Sequence, residues 1–548
     1  MEILNEPPQE RTAIAKAISR GRLVVDIETD GFLWECTRMW MLVTRDIDTD
    51  EVIVYHDGDL SWMEALDRAI LLVGHFVLGF DFLVLQRLFG YHAKCRVIDT
   101  VIMSQTLNYK RFPSGKHSLE AWGEFLKQPK SEFDPAKFKD PTIDDLQEML
   151  AYCIQDTLVG LLVYKYLIDE YNKKIVRNPL LKESLLIEHE TVEFVGQCEL
   201  GGWRMDVEAA EELFEKLEAS IKETEDILSP KMSLMIKPHE KEAKSPKWIK
   251  DGRYAKQTSD WFGIDQERGR TDRPIEGAYT RVDIIQPDAS SMEAIKAYLH
   301  SIGWVPDDWN WKRIGRQFIK VSPKLTTSSL ELLGEDGCLV DELTTTRSRR
   351  DILKGWLEKF DEQGRLHGSC FTIATPTGRA RHEVLVNVPS ADAKWGAEIR
   401  RLFIARPGFK VVGADSSGNQ FRALCHYLKN EEFTDLVLNG DVHQKNADIL
   451  GSILGSVVSR KTAKPFIYAF LFGAGGEKLG LIVTGKRDKK IGKKLKDEFV
   501  ERVPGLKTLI EKVEKIYRRN EENYGRAWIP AADGRPIYCD SIHKALNY

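Results

Sequence analysis

The chain has 548 residues, 42% of them hydrophobic and 30% charged, with a formal net charge of −5. That length favours two to four domains, and that balance belongs to a globular protein rather than a disordered or fibrous one. No run of about 18 apolar residues predicts a membrane span, no apolar stretch near the N-terminus predicts a secretory leader, and eight scattered cysteines without a C-x-x-C pair argue against a zinc ribbon and for a reducing, cytoplasmic setting.

In chain order, residues 11–21 read as a short helix and Arg22–Thr29 as a buried strand. Asp26 and Glu28 are two apart on that strand, so both carboxylates face one side of the sheet and repel unless a cation lies between them. After a second apolar run, Asp81 opens an apolar helix, and Val97-Ile-Asp-Thr100 ends a further strand. Residues 110–150 read as loops and a helix. Tyr152 and Asp156 then lie one turn apart on one face of a helical segment, and the helical pattern continues to Leu200. Residues 207–228 form a long amphipathic helix. Residues 231–285 break pattern, the mark of a functional loop or a flexible insertion. Helical pattern resumes over 290–365, interrupted by a turn at Gly303-Trp-Val-Pro306. His367–His382 reads as strand, turn, strand.

Lys410–Ala414 predicts a strand climbing to Asp415, with a turn at Ser416-Ser-Gly418 and a helix from near Asn419. A carboxylate at the end of a strand suits Mg²⁺, which wants few protein oxygens and room for phosphates. The same Asp serves equally well as a turn or cap residue. Forty residues on, Arg460, Lys464, Tyr468 and Phe472 recur every four residues, two cations followed by two rings on one drifting helical face. Two cations can neutralise a triphosphate and a ring can stack on a base or sugar; a solvated basic end followed by core aromatics gives the same pattern. Pro465 removes an amide inside this helix and disfavours helix at Lys464, about 3 kcal/mol if unrelieved, so the sequence predicts a kink or a helix that begins near Lys464. Gly473-Ala-Gly-Gly476 closes it. From Ser456 to Pro530, 18 Lys and Arg stand against nine Asp and Glu, a basic lobe suited to phosphate.

Asp415-Ser-Ser-Gly-x-x-x-Arg422, Gly440-Asp-Val-His443, Arg460-x3-Lys464-x3-Tyr468 and Gly473-Ala-Gly475 follow one another in an order and spacing that resembles family A DNA polymerases, relatives of DNA polymerase I, and in particular their bacteriophage replicative type. The resemblance runs over the whole sequence. It implies an α/β and α+β multidomain protein. A ribonuclease H-like 3′→5′ exonuclease domain would occupy 1–185. A right-hand polymerase would follow: thumb and connecting region over 186–365 with the irregular insertion near 231–285, the first part of the palm over 366–440, fingers over 441–530, and the start of a returning palm segment over 531–548.

By the same resemblance, Asp26, Glu28, Asp81 and Asp156 would hold two Mg²⁺ ions and Tyr152 would orient the attacking water. In the polymerase half, Asp415 and the Ser416 carbonyl would bind two Mg²⁺ ions. His443, Arg460 and Lys464 would grip the phosphates, Tyr468 would lie against the sugar and Gln420 would screen it. Arg379 would reach the primer–template minor groove, and Phe472 would contact DNA. The partners implied are primer–template DNA and dNTPs, with the host cytoplasm as the setting. In some phage relatives a thumb insertion recruits host thioredoxin, and residues 231–285 carry that expectation here.

Four departures stand out. The family often has an Asn shortly before the second exonuclease motif's Asp; here that stretch is Phe76-Val-Leu-Gly-Phe80, whose rings suit either strand-end stacking or core packing. Gln420 stands where Glu is usual, keeping bulk and losing charge, which predicts weak ribonucleotide incorporation. Pro465 lies within the fingers helix. Finally, no His-Asp-Glu occurs, the hairpin that bears the family's second palm carboxylate; the sequence stops at Asp540–Tyr548, before it. This predicts little synthesis by the chain alone and a second polypeptide carrying the rest of the palm. Two other readings stay open: an exonuclease whose polymerase half only binds primer–template, and a non-catalytic DNA-binding replisome component.

Overall fold

A computed structural model describes residues 21–129, 133–238, 247–262, 282–314, 317–539, 541–542 and 545. The helix expected at 11–21, much of the 231–285 insertion and most of Asp540–Tyr548 lie outside these. The chain forms two compact units. Met1–Gly202, His367–Val386 and Val411–Tyr548 contribute to one, Trp203–Leu366 and Asn387–Lys410 to the other.

The first unit is built on a mixed sheet of β1 (Arg22–Thr29), β2 (Met39–Asp46), β3 (Val52–His56), β4 (Leu71–Gly74) and β5 (Arg96–Asp99), in the order β3-β2-β1-β4-β5. β1 pairs antiparallel with β2 and parallel with β4. It is therefore central, and Leu23, Val24, Val25 and Ile27 are buried on it. A strand covered on both faces reads as a continuous apolar run, which is why a charged pair within it stands out. The register sets Asp26 opposite Val43 and Glu28 opposite Met41.

The helix Ile143–Ile175 packs against β1 and β2 and is opened by a reciprocal Thr142/Asp145 capping box. By length and composition alone it could cross a membrane. Here part of its apolar face is covered by protein: Met149 and Cys153 cluster with Met41 and Val43, and Leu161 and Tyr164 with Val24 and Val73. The next helix, Leu181–Gly201, runs through the boundary expected near residue 185. Gly196 brings it so close to the helix Asp81–Phe89 that an added Cβ would lie 2.9 Å from the Leu83 side chain. That close packing keeps this helix with the sheet, and the unit breaks at Gly202 instead.

The second unit centres on the helices Val207–Leu228 and Gly334–Leu357, which pack together and are tied by Arg347 to Glu225 (2.6 Å) and Arg350 to Glu218. Asp206 caps the first through Ala209 N–H. Two antiparallel ribbons were not expected: Met235–Pro238 with Val282–Ile285, and Trp309–Ile314 with Gln317–Pro323. The second replaces helix inside 290–365, and its sequence does alternate large apolar with polar residues.

Back in the first unit, Cys370–Phe371 and Arg381–His382 pair as two short strands around a turn, as expected. The strand expected to reach Asp415 is absent among the described residues. Val411–Ser416 has no assigned secondary structure, and Val411 and Val412 are 55% and 88% exposed. An extended apolar run becomes a strand only with a ladder partner, and no pairing is made here. The helix Asn419–Leu428 begins where expected. Further helices follow at Glu431–Asn439, Val442–Leu454, Arg460–Leu471, Gly476–Thr484, Lys489–Arg502 and Leu506–Tyr524, then a hairpin of Trp528–Pro530 with Pro536–Tyr538.

Candidate active sites

The first site gathers carboxylates from separate elements of one unit. Asp26 and Glu28 come from β1, Asp81 from the first residue of its helix, and Asp156 from the long helix. Glu28, Asp81 and Asp156 are buried. The Ile27 backbone N–H donates to Asp81 Oδ1 at 3.2 Å, which ties the helix start to β1. Burial, and then the charge of Asp26, push the Asp81 carboxyl well above the usual carboxylate range.

Cys153 completes the group and was not foreseen. It lies one residue after Tyr152 and three before Asp156, so helical spacing alone places it on their side. Its Sγ donates to Asp26 Oδ2 at 3.3 Å. Donor atoms of Asp26, Glu28 and Cys153 lie within 4.8 Å of one another, a grouping of three that could hold a metal ion. Burial, followed by Asp26 and Glu28, drives the thiol pKa well up, so Cys153 acts as a neutral hydrogen-bond donor. The donor set therefore fits Mg²⁺ through carboxylate oxygens; the thiol is a poor partner for that hard ion and serves Asp26 instead. Tyr152 is half-buried against Phe133 and Phe138, ring centroids 5.8 and 6.5 Å away.

A cavity of about 1080 Å³ opens over Asp26 and Asp156, with Phe76, Phe80, Tyr109 and Arg381 among its walls. Asp99, also buried, shapes that wall. Its carboxylate accepts from the backbone N–H of Phe76 and Leu78, both at 3.1 Å, and of Val101 at 2.8 Å. Phe76 is thereby held at φ 64°, a conformation uncommon for a bulky residue. Its ring lies where a Cβ on Gly79 would come within 2.5 Å and stacks on Phe371 (6.3 Å, 14°). Phe76 thus remains 40% exposed, whereas Phe80 packs against the core of the sheet.

The second site is the face of Arg460–Leu471. Ser459 caps this helix through Thr462 N–H, so the helix begins at Arg460 and not near Lys464. Pro465 sits in its second turn and leaves the Lys461 carbonyl without the usual amide donor. Arg460, Lys464 and Tyr468 do lie on the helix, while Phe472 is its 46%-exposed C-terminal cap and Gly473 turns the chain at φ 74°. The rings of Phe421, His443 and Tyr468 meet in one cluster, with centroids 5.5, 5.7 and 6.0 Å apart. His443 is thus brought beside the cationic face. Burial first, then Arg460 and Lys464, lower its pKa, which keeps the imidazole neutral near pH 7. Asp441, two residues earlier, forms an ion pair with Arg460 (2.7 Å).

Gln420 lies next to Phe421 in the first turn of its helix and is exposed; so are Asp415 and Ser416 on the preceding irregular segment, and Arg379 on its hairpin turn. Among the described residues, no group of three metal-ligating side chains includes Asp415.

The profile of DNA polymerase family A matches residues 319–540. The DNA-directed DNA polymerase of Escherichia phage T7 is 28% identical over an alignment of 624 residues that covers 96% of this chain and 87% of the phage protein. That of Enterobacteria phage T3 is 28% identical over 623, with the same coverage. The fold resembles the POL domain of Pol1 from M. smegmatis, solved in complex with DNA primer–template and dNTP, with a TM-score of 0.64 at 14% identity, over 99% of this chain and 84% of that one. Residues 319–540 thus match DNA polymerase family A, and the chain is similar over most of its length to the enzymes of phages T7 and T3.

Proposed function

We propose that this chain is a template-directed DNA polymerase with 3′→5′ proofreading exonuclease activity, acting in phage DNA replication. The observation that carries the exonuclease half is the convergence of Asp26, Glu28, Asp81 and Asp156 beside one cavity. The mixed five-stranded sheet supports a ribonuclease H-like reading of that half. Mg²⁺ held by such carboxylates lowers the pKa of a bound water or primer hydroxyl and neutralises charge developing on phosphate. Asp26, Glu28, Asp81 and Asp156 would hold the ions, Tyr152 would orient the attacking water, and the Phe76 side of the cavity would receive the 3′ end.

In the polymerase half, Arg460 and Lys464 bind the triphosphate and neutral His443 adds a hydrogen bond. Tyr468 lies against the sugar, which Gln420 screens by bulk. Arg379 and Phe472 contact primer–template. Asp415 and the Ser416 carbonyl would be the metal ligands on this side. The ribbon Met235–Pro238/Val282–Ile285, with Ile236 and Ile284 67% and 68% exposed, supports a docking role for the surrounding insertion toward a processivity factor such as thioredoxin.

The test is Mg²⁺-dependent shortening of a 5′-labelled single strand from its 3′ end. Asp26→Asn and Asp156→Asn should each reduce it by more than the roughly 10–100-fold that loss of an outer-shell partner costs; retained activity would overturn the assignment. Extension of a primer by dNTPs, with and without a polypeptide bearing His-Asp-Glu, tests the polymerase half. Dependence on that addition supports a second polypeptide that shares in synthesis, and failure in both arms favours an exonuclease that only binds primer–template. Capture of thioredoxin should disappear when 236–275 is deleted.

A further inference from the structure

One carboxylate ties the two helices of the cationic face together, and no role above uses it. Asp441 Oδ1 accepts from the backbone N–H of His443 (3.1 Å) and Gln444 (3.0 Å), capping the helix Val442–Leu454. Its Oδ2 accepts from Arg460 Nε at 2.7 Å. The same side chain therefore fixes the start of the helix that carries His443 and the first residue of the helix that carries Arg460, Lys464 and Tyr468. The contact uses Nε, so it leaves the two terminal amino groups of the guanidinium for another partner. Lysine's donors all sit on one nitrogen, so it lacks the planar fork that keeps one edge on Asp441 and turns the other outward. Arg460 and Asp441 side chains are 54% and 46% exposed, and an ion pair that open to water adds little to stability. Its consequence lies in where it holds the guanidinium.

We infer that Asp441 is a positioning residue for nucleotide binding: it grips Arg460 by Nε and presents the terminal amino groups to a triphosphate, without touching the nucleotide itself. This rests on the proposed nucleotide role of Arg460, Lys464 and His443. Because Asp441 also caps a helix, the informative substitution is Asp441→Ser, which keeps a capping oxygen but cannot reach the guanidinium.

The experiment uses the full chain on a dideoxy-terminated primer–template with a templating A and Mg²⁺, and measures dTTP affinity at equilibrium together with the thermal midpoint. Asp441→Ser should raise the dTTP Kd about 10-fold, the scale of one charge-assisted contact, and leave the midpoint within about 2 °C of wild type. Asp441→Ala should raise the Kd equally and lower the midpoint as well. Placed on an Arg460→Ala background, Asp441→Ser should have no further effect, because the two act through one contact. An unchanged Kd in Asp441→Ser, or an equal rise with Arg460 already removed, overturns the inference. If Arg460→Ala itself leaves the Kd unchanged, or the chain binds no dTTP, the nucleotide reading of this face fails and the inference with it.

Discussion

Asp81 is 5% exposed, and its carboxyl sits well above the usual range because burial and the Asp26 charge both oppose ionisation. A raised folded pKa contributes stability that is fully present below the ordinary Asp value of about 3.9 and is lost as pH rises through the folded value. With Mg²⁺ chelated, the thermal midpoint should therefore fall as the pH is raised from about 4 toward neutrality. Asp81→Asn keeps the volume and removes the ionisation. It should flatten that decline and raise the midpoint at neutral pH, while removing exonuclease activity, the usual trade at a charged site. Calorimetry across pH in chelator decides this; the same slope in both proteins would refute it. The sequence made Asp26, Glu28, Asp81 and Asp156 legible because each sits at a strand position, helix start or helix face that pattern alone reveals. The partners of Cys153, Asp99 and Asp441 were not legible, since a thiol in an apolar run and an Asp before a helix read locally as core and cap, and nothing nearby in sequence names the Asp26, Phe76 or Arg460 that each one meets.

At the scale of elements, the helices Gly476–Thr484 and Lys489–Arg502 meet through backbone. A Cβ on Gly492 would lie 1.7 Å from the Gly476 carbonyl oxygen, and one on Gly480 2.3 Å from that of Asp488. No side chain can rotate away, so the whole pair must shift. Intrinsic propensity favours Ala over Gly inside a helix by about 1 kcal/mol, yet Gly492→Ala should destabilise by about 2 kcal/mol or more, as overpacking does. Chemical denaturation checks this, and a variant as stable as wild type would show that the helices separate easily. Gly79→Ala should act similarly on the Phe76 turn, with loss of exonuclease activity outrunning loss of stability, because the ring it displaces lines the cavity. Local pattern was a sound guide to most helices here. It failed for Lys410–Asp415, where an apolar run finds no ladder partner, and for Trp309–Pro323, where two short alternating runs pair with each other.

For the molecule as a whole, the net charge of −5 conceals an uneven distribution. Lys489, Lys490, Lys493 and Lys494 are exposed on one helix within the basic window. If this lobe contacts DNA phosphates, log affinity for primer–template should fall linearly with log salt, with a slope of roughly −0.9 per phosphate neutralised. Changing all four lysines to Gln should weaken binding and make that slope shallower by several units; an unchanged slope would place the DNA elsewhere. The division into units also belongs to this scale: two returns of the chain, at His367–Val386 and Val411–Tyr548, join the unit that holds the sheet, and no local composition shift marks them.

By itself the sequence determined most of the helices and the buried strand Arg22–Thr29, the order of the motifs and the chemical types of the candidate ligands, because these follow from near-neighbour periodicity and side-chain chemistry. Only the tertiary structure decided that Cys153 lies against Asp26, that Asp99 holds the Phe76 turn and that Asp441 grips Arg460. Each joins residues whose proximity depends on how separate elements pack, and packing is a property of the assembled core that no local stretch encodes.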